Sequence, residues 1–300
     1  GNYEMDYYYH STREASEWVL ANAKKSGLET GKKIKVATWH TASVNYFFRK
    51  DTADFQVVFS RWYERGNNDW DYAIFTVTGI IPEQIKSAHF PPPNTVHTIN
   101  VDGKPICIIL KRTDKSDFEG FKLKEAKQTA AAMPYFKKAL KVDPYNEAPL
   151  VNLIECYFHV GFPDSAKPLI DHSLTFLPSY EPANHLNAHY YISKEDANMA
   201  LKSCKKIIKD NFKYTDAYHM ACKIYLWQGD LNSAEEVLEE LIEIDMLDNQ
   251  GGQMLIQIYM YRGLNEQEAY KRLYKKMAKS LEKRGKKKNA KEFWDIYHKL

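Results

Sequence analysis

Three hundred residues, 44% hydrophobic and 27% charged, have the proportions of folded globular protein and leave room for two domains. A formal net charge of +3 is too small to argue for nucleic acid, and no run approaches the ~20 apolar residues of a membrane-spanning helix. The start, Gly1 followed by Asn-Tyr-Glu without a signal-peptide pattern, looks like a trimmed tag and reads as a piece of a longer protein.

In chain order, Ser11-Thr12-Arg13-Glu14 resembles a capping box opening a helix that Gly27 closes, with Ala15, Trp18, Val19 and Ala23 at helical spacing between them. Lys33–Trp39, Phe55–Phe59 and Tyr72–Thr78 are strands, the third apolar enough for a central position. A short helix is expected over Ser43–Lys50, and another over Pro82–Ala88 with proline at its first position. Val96–Val101 and Ile106–Lys111 flank Asp102-Gly103, a hairpin signal. The pattern predicts a small three-layer α/β domain with a mixed sheet over residues 1–112, a polar linker at 113–119 and a helical domain over 120–300, α+β overall.

The helical part is periodic. Tyr157, Tyr191, Tyr225 and Tyr259 are 34 residues apart, as are Ala132, Ala166, Ala200 and Ala234. Small residues recur where two helices of a hairpin would cross, and aromatics where volume remains to be filled. Gly120, Phe136, Leu153, Gly161, Pro178, Gly229-Asp230, Leu238, Leu255 and Gly263 keep the same phase. The third unit has Glu195 in place of its turn glycine and Phe212 in place of its closing proline, and the fifth has its small residue slipped by one to Ala269. These residues resemble the tetratricopeptide consensus from Gly120 to Leu281. Apolar stripes through Tyr270, Leu273, Tyr274, Met277 and Leu281, then Phe293, Ile296, Tyr297 and Leu300, read as terminal helices capping the array.

The tetratricopeptide resemblance implies that the first helix of each pair lines a concave groove. On that phase Val151, Glu155, Phe158 and His159 face inward, then His185, His189 and Ile192. His219, Lys223, Leu226 and Trp227 follow, then Gln253, Gln257 and Tyr261. Aromatics with few net charges suit a protein or peptide with apolar anchors, and the groove lacks the Lys and Arg run that would clamp a carboxylate terminus. The histidines are read as groove lining; a metal or pH-sensitive site is the alternative, weakened by the absence of a nearby carboxylate or cysteine.

Residues Lys271–Lys291 hold eleven Lys or Arg and one Glu, a net +10 that leaves −7 for the rest of the chain. Such a run is a solvated helix face or a contact for an anionic membrane surface; nucleic acid is not expected. No cofactor, metal or catalytic residue is expected. Cys107, Cys156, Cys204 and Cys222 form no Cys-x-x-Cys pair and read as buried free thiols. Gly27-Leu-Glu-Thr-Gly31-Lys32-Lys33 is one residue short of a phosphate loop and precedes a strand. Asp69-Trp70-Asp71 has the Asp-x-Asp form of metal-binding sugar transferases but reads as a strand-entry turn. His40, His89 and His97 lack evident partners.

Several short motifs belong together: Ala37-Thr-Trp-His40, Tyr46-Phe-Phe-Arg49, Asp69-Trp-Asp-Tyr-Ala-Ile-Phe75, Phe90-Pro-Pro-Pro-Asn-Thr-Val-His97, Val101-Asp-Gly-Lys-Pro105 and Lys111-Arg112. Over residues 3–112 they resemble the soluble domain that follows the membrane helices of family 39 glycosyltransferases, enzymes similar to protein O-mannosyltransferases. The resemblance implies a non-catalytic accessory domain on the extracytoplasmic, periplasmic side, with Tyr3 and Tyr7-Tyr8-Tyr9 near the membrane interface. The expected function is a protein-interaction region of such a membrane enzyme. The alternatives are a stand-alone, cytoplasmic tetratricopeptide scaffold, or a sugar-nucleotide-binding enzyme with a site around His40, Asp69 and Asp71.

Overall fold

Alternation of apolar side chains sets the strands of the first part. In the computed structural model, which describes residues 10–23 and 32–300, they form one five-stranded mixed sheet of order β2-β1-β3-β5-β4. The strands are β1 (Ile34–Thr38), β2 (Phe55–Phe59), β3 (Tyr72–Thr76), β4 (Thr95–Val101) and β5 (Lys104–Lys111). β1 pairs in parallel with β2 and β3, and β3 pairs antiparallel with β5. The β4–β5 hairpin turns at Asp102 and Gly103, both at positive φ (50° and 74°), as a two-residue turn matched to strand twist requires. All five residues of β3 are buried. On one face Tyr72, Ile74 and Ile109 pack with Val19 of α1 (His10–Ala23) and Phe48 of α2 (Thr41–Phe48). On the other, Ala73, Phe75 and Ile108 pack with Trp62, Trp70 and Ile80.

Two sequence expectations change here. Ser11 and Thr12 lie within α1 and are buried, with Thr12 Oγ1 2.7 Å from Ser43 Oγ on α2, so they serve packing between two helices. The 113–119 stretch is no linker: α4 (Ser116–Glu125) begins inside it, because its polar side chains are partners for buried charge. Arg112 donates to Asp117 at 2.7 Å and to the carbonyls of Asn68 and Arg65 at 2.6 and 2.9 Å. Tyr3, Tyr7, Tyr8 and Tyr9, the helix-closing Gly27, and the phosphate-loop-like run up to Gly31 lie outside the described residues.

The chain divides into two compact units, Gly1–Pro178 and Ser179–Leu300, a boundary that falls within the helical repeats and not at 113–119. The first unit holds the sheet, α3 (Pro82–Lys86), α4, α5 (Thr129–Val142), α6 (Glu147–His159) and α7 (Pro163–Phe176). The second holds α8 (Glu181–Ser193), α9 (Ala197–Asp210), α10 (Thr215–Trp227), α11 (Leu231–Ile244), α12 (Asn249–Tyr261), α13 (Glu266–Lys283) and α14 (Lys287–Lys299).

The 34-residue step is visible in the backbone. Lys127, Gly161, Glu195, Gly229 and Gly263, each 34 residues from the last, adopt positive φ of 61°, 81°, 58°, 77° and 96° at the end of a first helix. Only glycine enters that region without cost, so Lys127 and Glu195 hold it under strain imposed by the repeat. Ala132, Ala166, Ala200 and Ala234 are fully buried where helices cross. Gly120 does the same between α4 and α5: a Cβ there would stand 2.9 Å from the Phe136 ring. The expected cap is partial. Phe293 of α14 stacks over Tyr274 of α13 at 6.2 Å, but Ala290 is the one fully covered residue among those described in α14, and Ile296 is exposed.

Candidate functional site

The second unit presents the largest candidate surface, the first-helix side chains of α8, α10 and α12. Helix-starting carboxylates fix their register. Asp230 accepts from Ser233 N at 3.0 Å to cap α11, and Asp248 caps α12 through Gly251 N at 2.5 Å. Tyr218 and Cys222 of α10 pack in one cluster with Leu255 and Tyr259 of α12, so the two helices are neighbours and their opposite faces look outward together.

On that surface Trp227 is 50% exposed and Tyr261, the same position one repeat later, is 78% exposed. Leu226 and Met260 beside them are exposed as well, as are Lys223, Gln253 and Gln257. Met260 is absent from the sequence-derived lining; its place next to Tyr261, repeating the Leu226–Trp227 pair 34 residues earlier, was the available signal. Ile192 is half-buried. His185 and His189 on α8 meet edge to face at 4.9 Å. Surrounding protein, and then the charge of Lys223, push the His189 imidazole pKa below its ordinary value, which keeps the ring neutral at pH 7.

His219 does not belong to this surface. It is 6% exposed, and its Nε2 lies 2.7 Å from Asp248 Oδ1, so it ties α10 to the capped start of α12. It therefore leaves the set of groove ligands. In the first unit, Glu155 of α6 pairs with Lys124, which also donates to Asn152 Oδ1 at 2.8 Å. Its carboxylate is thereby engaged inside the unit. Phe158 and Val151 are half-buried and His159 is exposed.

The residues proposed for an enzymatic site are not assembled. Asp69 and Asp71 lie near the start of β1, where Lys35 and Lys115 reach Asp69 at 2.5 and 2.7 Å and Lys115 reaches Asp71 at 2.9 Å. Burial alone would raise the Asp69 pKa, but the two lysine hydrogen bonds outweigh it and hold the carboxylate below its usual range. His40 follows the other end of β1, with Nε2 3.1 Å from Thr76 Oγ1. Five strand residues intervene, roughly 16 Å of strand. His97 stacks on Trp18 at 5.1 Å and His89 on Tyr145 at 3.7 Å. All four cysteines are free and buried; burial pushes the Cys204 thiol up to about 12 and the Cys222 thiol up to about 11.

Sequence reasoning missed a buried polar network in the first unit. Arg65, 2% exposed, pairs with Glu147 and reaches Asp143 at 3.5 Å, with its guanidinium 4.0 Å over the Trp62 ring. Trp62 Nε1 donates to Gln84 at 2.7 Å and to Glu147 at 3.0 Å. Trp70 Nε1 donates to the Arg65 carbonyl at 2.7 Å. The network links the turn after β2 to the start of α6. Its members are 78–85 residues apart in sequence, beyond the reach of local periodicity.

A tetratricopeptide-repeat family model matches residues 123–179 and a second one matches residues 215–245. No curated protein matches the chain. Among solved structures, MamA protein is 25% identical over 56% of this chain and 90% of that chain, with a TM-score of 0.44. A tetratricopeptide repeat protein from Parabacteroides merdae ATCC 43184 is 15% identical over 62% and 78%, TM-score 0.47. A thermophilic TPR protein in Thermus thermophilus is 19% identical over 61% and 96%, TM-score 0.42. The chain carries tetratricopeptide repeats, the fold of a protein-interaction scaffold. The resemblance of residues 3–112 to a glycosyltransferase domain receives no support from these matches.

Proposed function

We propose that this chain is a protein-binding scaffold whose first-helix surface on α10 and α12 holds a peptide through apolar side chains. One observation carries this reading. Trp227 and Tyr261 occupy the same repeat position, are large, and are half or more exposed, although both stand on helices whose other faces are fully packed. Exposed aromatics aligned on adjacent helices are the anchors that binding surfaces use. Lys223, Gln253 and Gln257 add polar contacts that would fix the direction of the peptide backbone. His185 and His189, the latter kept neutral, extend the surface over α8.

A stand-alone tetratricopeptide protein accounts for these features as well as a membrane glycosyltransferase parent does; an extracytoplasmic location belongs to the parent reading alone. A second contact concerns the basic run. Arg272 and Lys276 pair with Glu235 and Glu239 of α11, but Lys275, Lys279, Lys283, Arg284, Lys286, Lys287, Lys288 and Lys291 are exposed on α13 and α14. That density of exposed positive charge favours an anionic bilayer surface. Flotation with phosphatidylserine vesicles, abolished by ~0.5 M salt through charge screening, is expected; binding to neutral vesicles alone would exclude it.

The peptide surface is tested by selecting displayed random peptides on the full chain. Enriched peptides are expected to lose binding to a Trp227→Ala/Tyr261→Ala variant. Undiminished binding would place the site elsewhere.

A further inference from the structure

We propose a second binding pocket on the outward, second-helix face of the first unit, at Tyr157, which takes an apolar side chain displayed by an acidic peptide segment. It is separate from the surface carrying Trp227 and Tyr261. The pocket, about 300 Å³, is formed by Lys137, Leu140 and Lys141 of α5, Leu153 and Tyr157 of α6, and Leu169 of α7. A pocket of about 280 Å³ in the second unit is built from the residues 68 positions later: Lys205, Ile208, Lys209, Ala221, Tyr225 and Val237. Sixty-eight is two repeats. In each pocket a lysine Nζ hangs over the tyrosine ring, at 5.4 Å for Lys137 over Tyr157 and 5.6 Å for Lys205 over Tyr225. Both tyrosines are half-buried, not enclosed, so the repeat builds a recess rather than a filled core at this position.

One repeat beyond Tyr225 the same recess is closed by the chain itself, and the way it closes identifies the occupant. Tyr259 is fully buried, its hydroxyl donates to Glu239 at 3.2 Å, and the Arg272 guanidinium covers its ring at 4.2 Å. With α13 slipped by one residue, Arg272 stands where Val237 and Leu169 stand in the open pockets. The positions matching Lys205 and Lys209 are here Glu239 and Glu243. Glu235, one turn earlier on α11, binds Arg272, and Glu239 binds Lys276. An acidic lining is thus closed by a long side chain that combines apolar stem and positive head. In the Tyr157 pocket the lining is reversed: Lys137 and Lys141 stand at the rim, and no acidic residue lines it. The complementary occupant combines an apolar body with negative neighbours. Glu236 and Glu240 line the Tyr225 pocket, so its rim is mixed and the acidic segment is assigned to the Tyr157 pocket.

The test uses the full chain and fluorescence anisotropy with a labelled Asp-Glu-Trp-Glu-Asp peptide and its amide counterpart Asn-Gln-Trp-Gln-Asn. The acidic peptide is expected to bind about tenfold more tightly, and Lys137→Glu/Lys141→Glu to erase that preference. Leu169→Arg, which copies the closed repeat, is expected to weaken both peptides while circular dichroism stays unchanged. Trp227→Ala/Tyr261→Ala is expected to leave the preference intact, which separates this pocket from the peptide surface proposed above. Equal affinity for the two peptides, or a preference that survives Lys137→Glu/Lys141→Glu, overturns the proposal. Displacement of the acidic peptide by phosphatidylserine vesicles but not by excess unlabelled peptide also overturns it, by assigning the lysines to lipid.

Discussion

The two units solve the same packing problem with different chemistry. The first joins its sheet to its helices through buried charge: Arg65 and Arg112 meet Glu147, Asp143 and Asp117, with Trp62 and Trp70 as hydrogen-bonded lids. The second stacks apolar residues around fully buried small ones, with Ala200, Ala234, Cys204 and Cys222 at the helix crossings. Burial raises the Asp117 pKa against the opposing pull of Arg112, which shows what the polar solution costs in desolvation. A polar junction is tied to specific partners, while an apolar repeat tolerates any sequence that keeps its volumes. The first solution is therefore brittle to loss of one partner and the second to gain of volume.

The largest effect expected from this contrast follows from Glu147→Ala. It leaves Arg65 buried without its closest carboxylate and should destabilise the first unit by roughly 3–5 kcal/mol, read as a shifted denaturant midpoint. A loss below about 1 kcal/mol, the range of an exposed pair, would mean that the network is not a tie. In the second unit Ala200→Leu should cost about 1–3 kcal/mol by overpacking, with the first unit's transition unmoved.

The units should also differ in pH response. Asp114 is held down to about 2: burial opposes ionisation, but hydrogen bonds from Lys138 Nζ at 2.7 Å and Ser116 N at 2.8 Å outweigh it. A carboxylate with a depressed folded pKa contributes stability that is complete above its unfolded pKa, about 3.9, and lost as pH falls toward 2. Asp114→Asn should flatten the acid limb of the first unit between those values by about 1 kcal/mol after solvent screening. Cys204, raised to about 12, acts in the opposite sense: its share is full below the unfolded thiol pKa and lost as pH rises toward the folded one. Acid sensitivity confined to the second unit would contradict the comparison.

The smallest change concerns the strained turns. Glu195→Gly should stabilise the second unit by about 0.5–1 kcal/mol in thermal melts, because glycine accepts the positive φ without cost. Destabilisation would show that the Glu195 side chain makes a contact worth more than the strain.

What could be read from the residues follows the same division. Short-range periodicity sets strand edges and helix phase, so Phe55–Phe59, the Asp102–Gly103 turn, the 34-residue step and the misfit at Glu195 were all visible beforehand. Long-range charge pairing has no period. The 113–119 stretch looked like a linker because its partners, Arg112 and Lys138, are recognised only once folding brings them into contact. His219 was misplaced for a related reason. Helical phase set it on the right helix, but Asp248, 29 residues away, turned it into a structural tie. The outward pockets were hidden by treating every phased tyrosine as core; the recurrence of Lys137, Leu140 and Lys141 as Lys205, Ile208 and Lys209 was the signal passed over.

The central claim, that α10 and α12 form the peptide surface, is tested most directly by amide hydrogen exchange of the full chain with and without a selected peptide. Protection is expected over Thr215–Trp227 and Asn249–Tyr261 and should vanish in Trp227→Ala/Tyr261→Ala. Protection confined to α9 and α11, or unchanged in that variant, would contradict it.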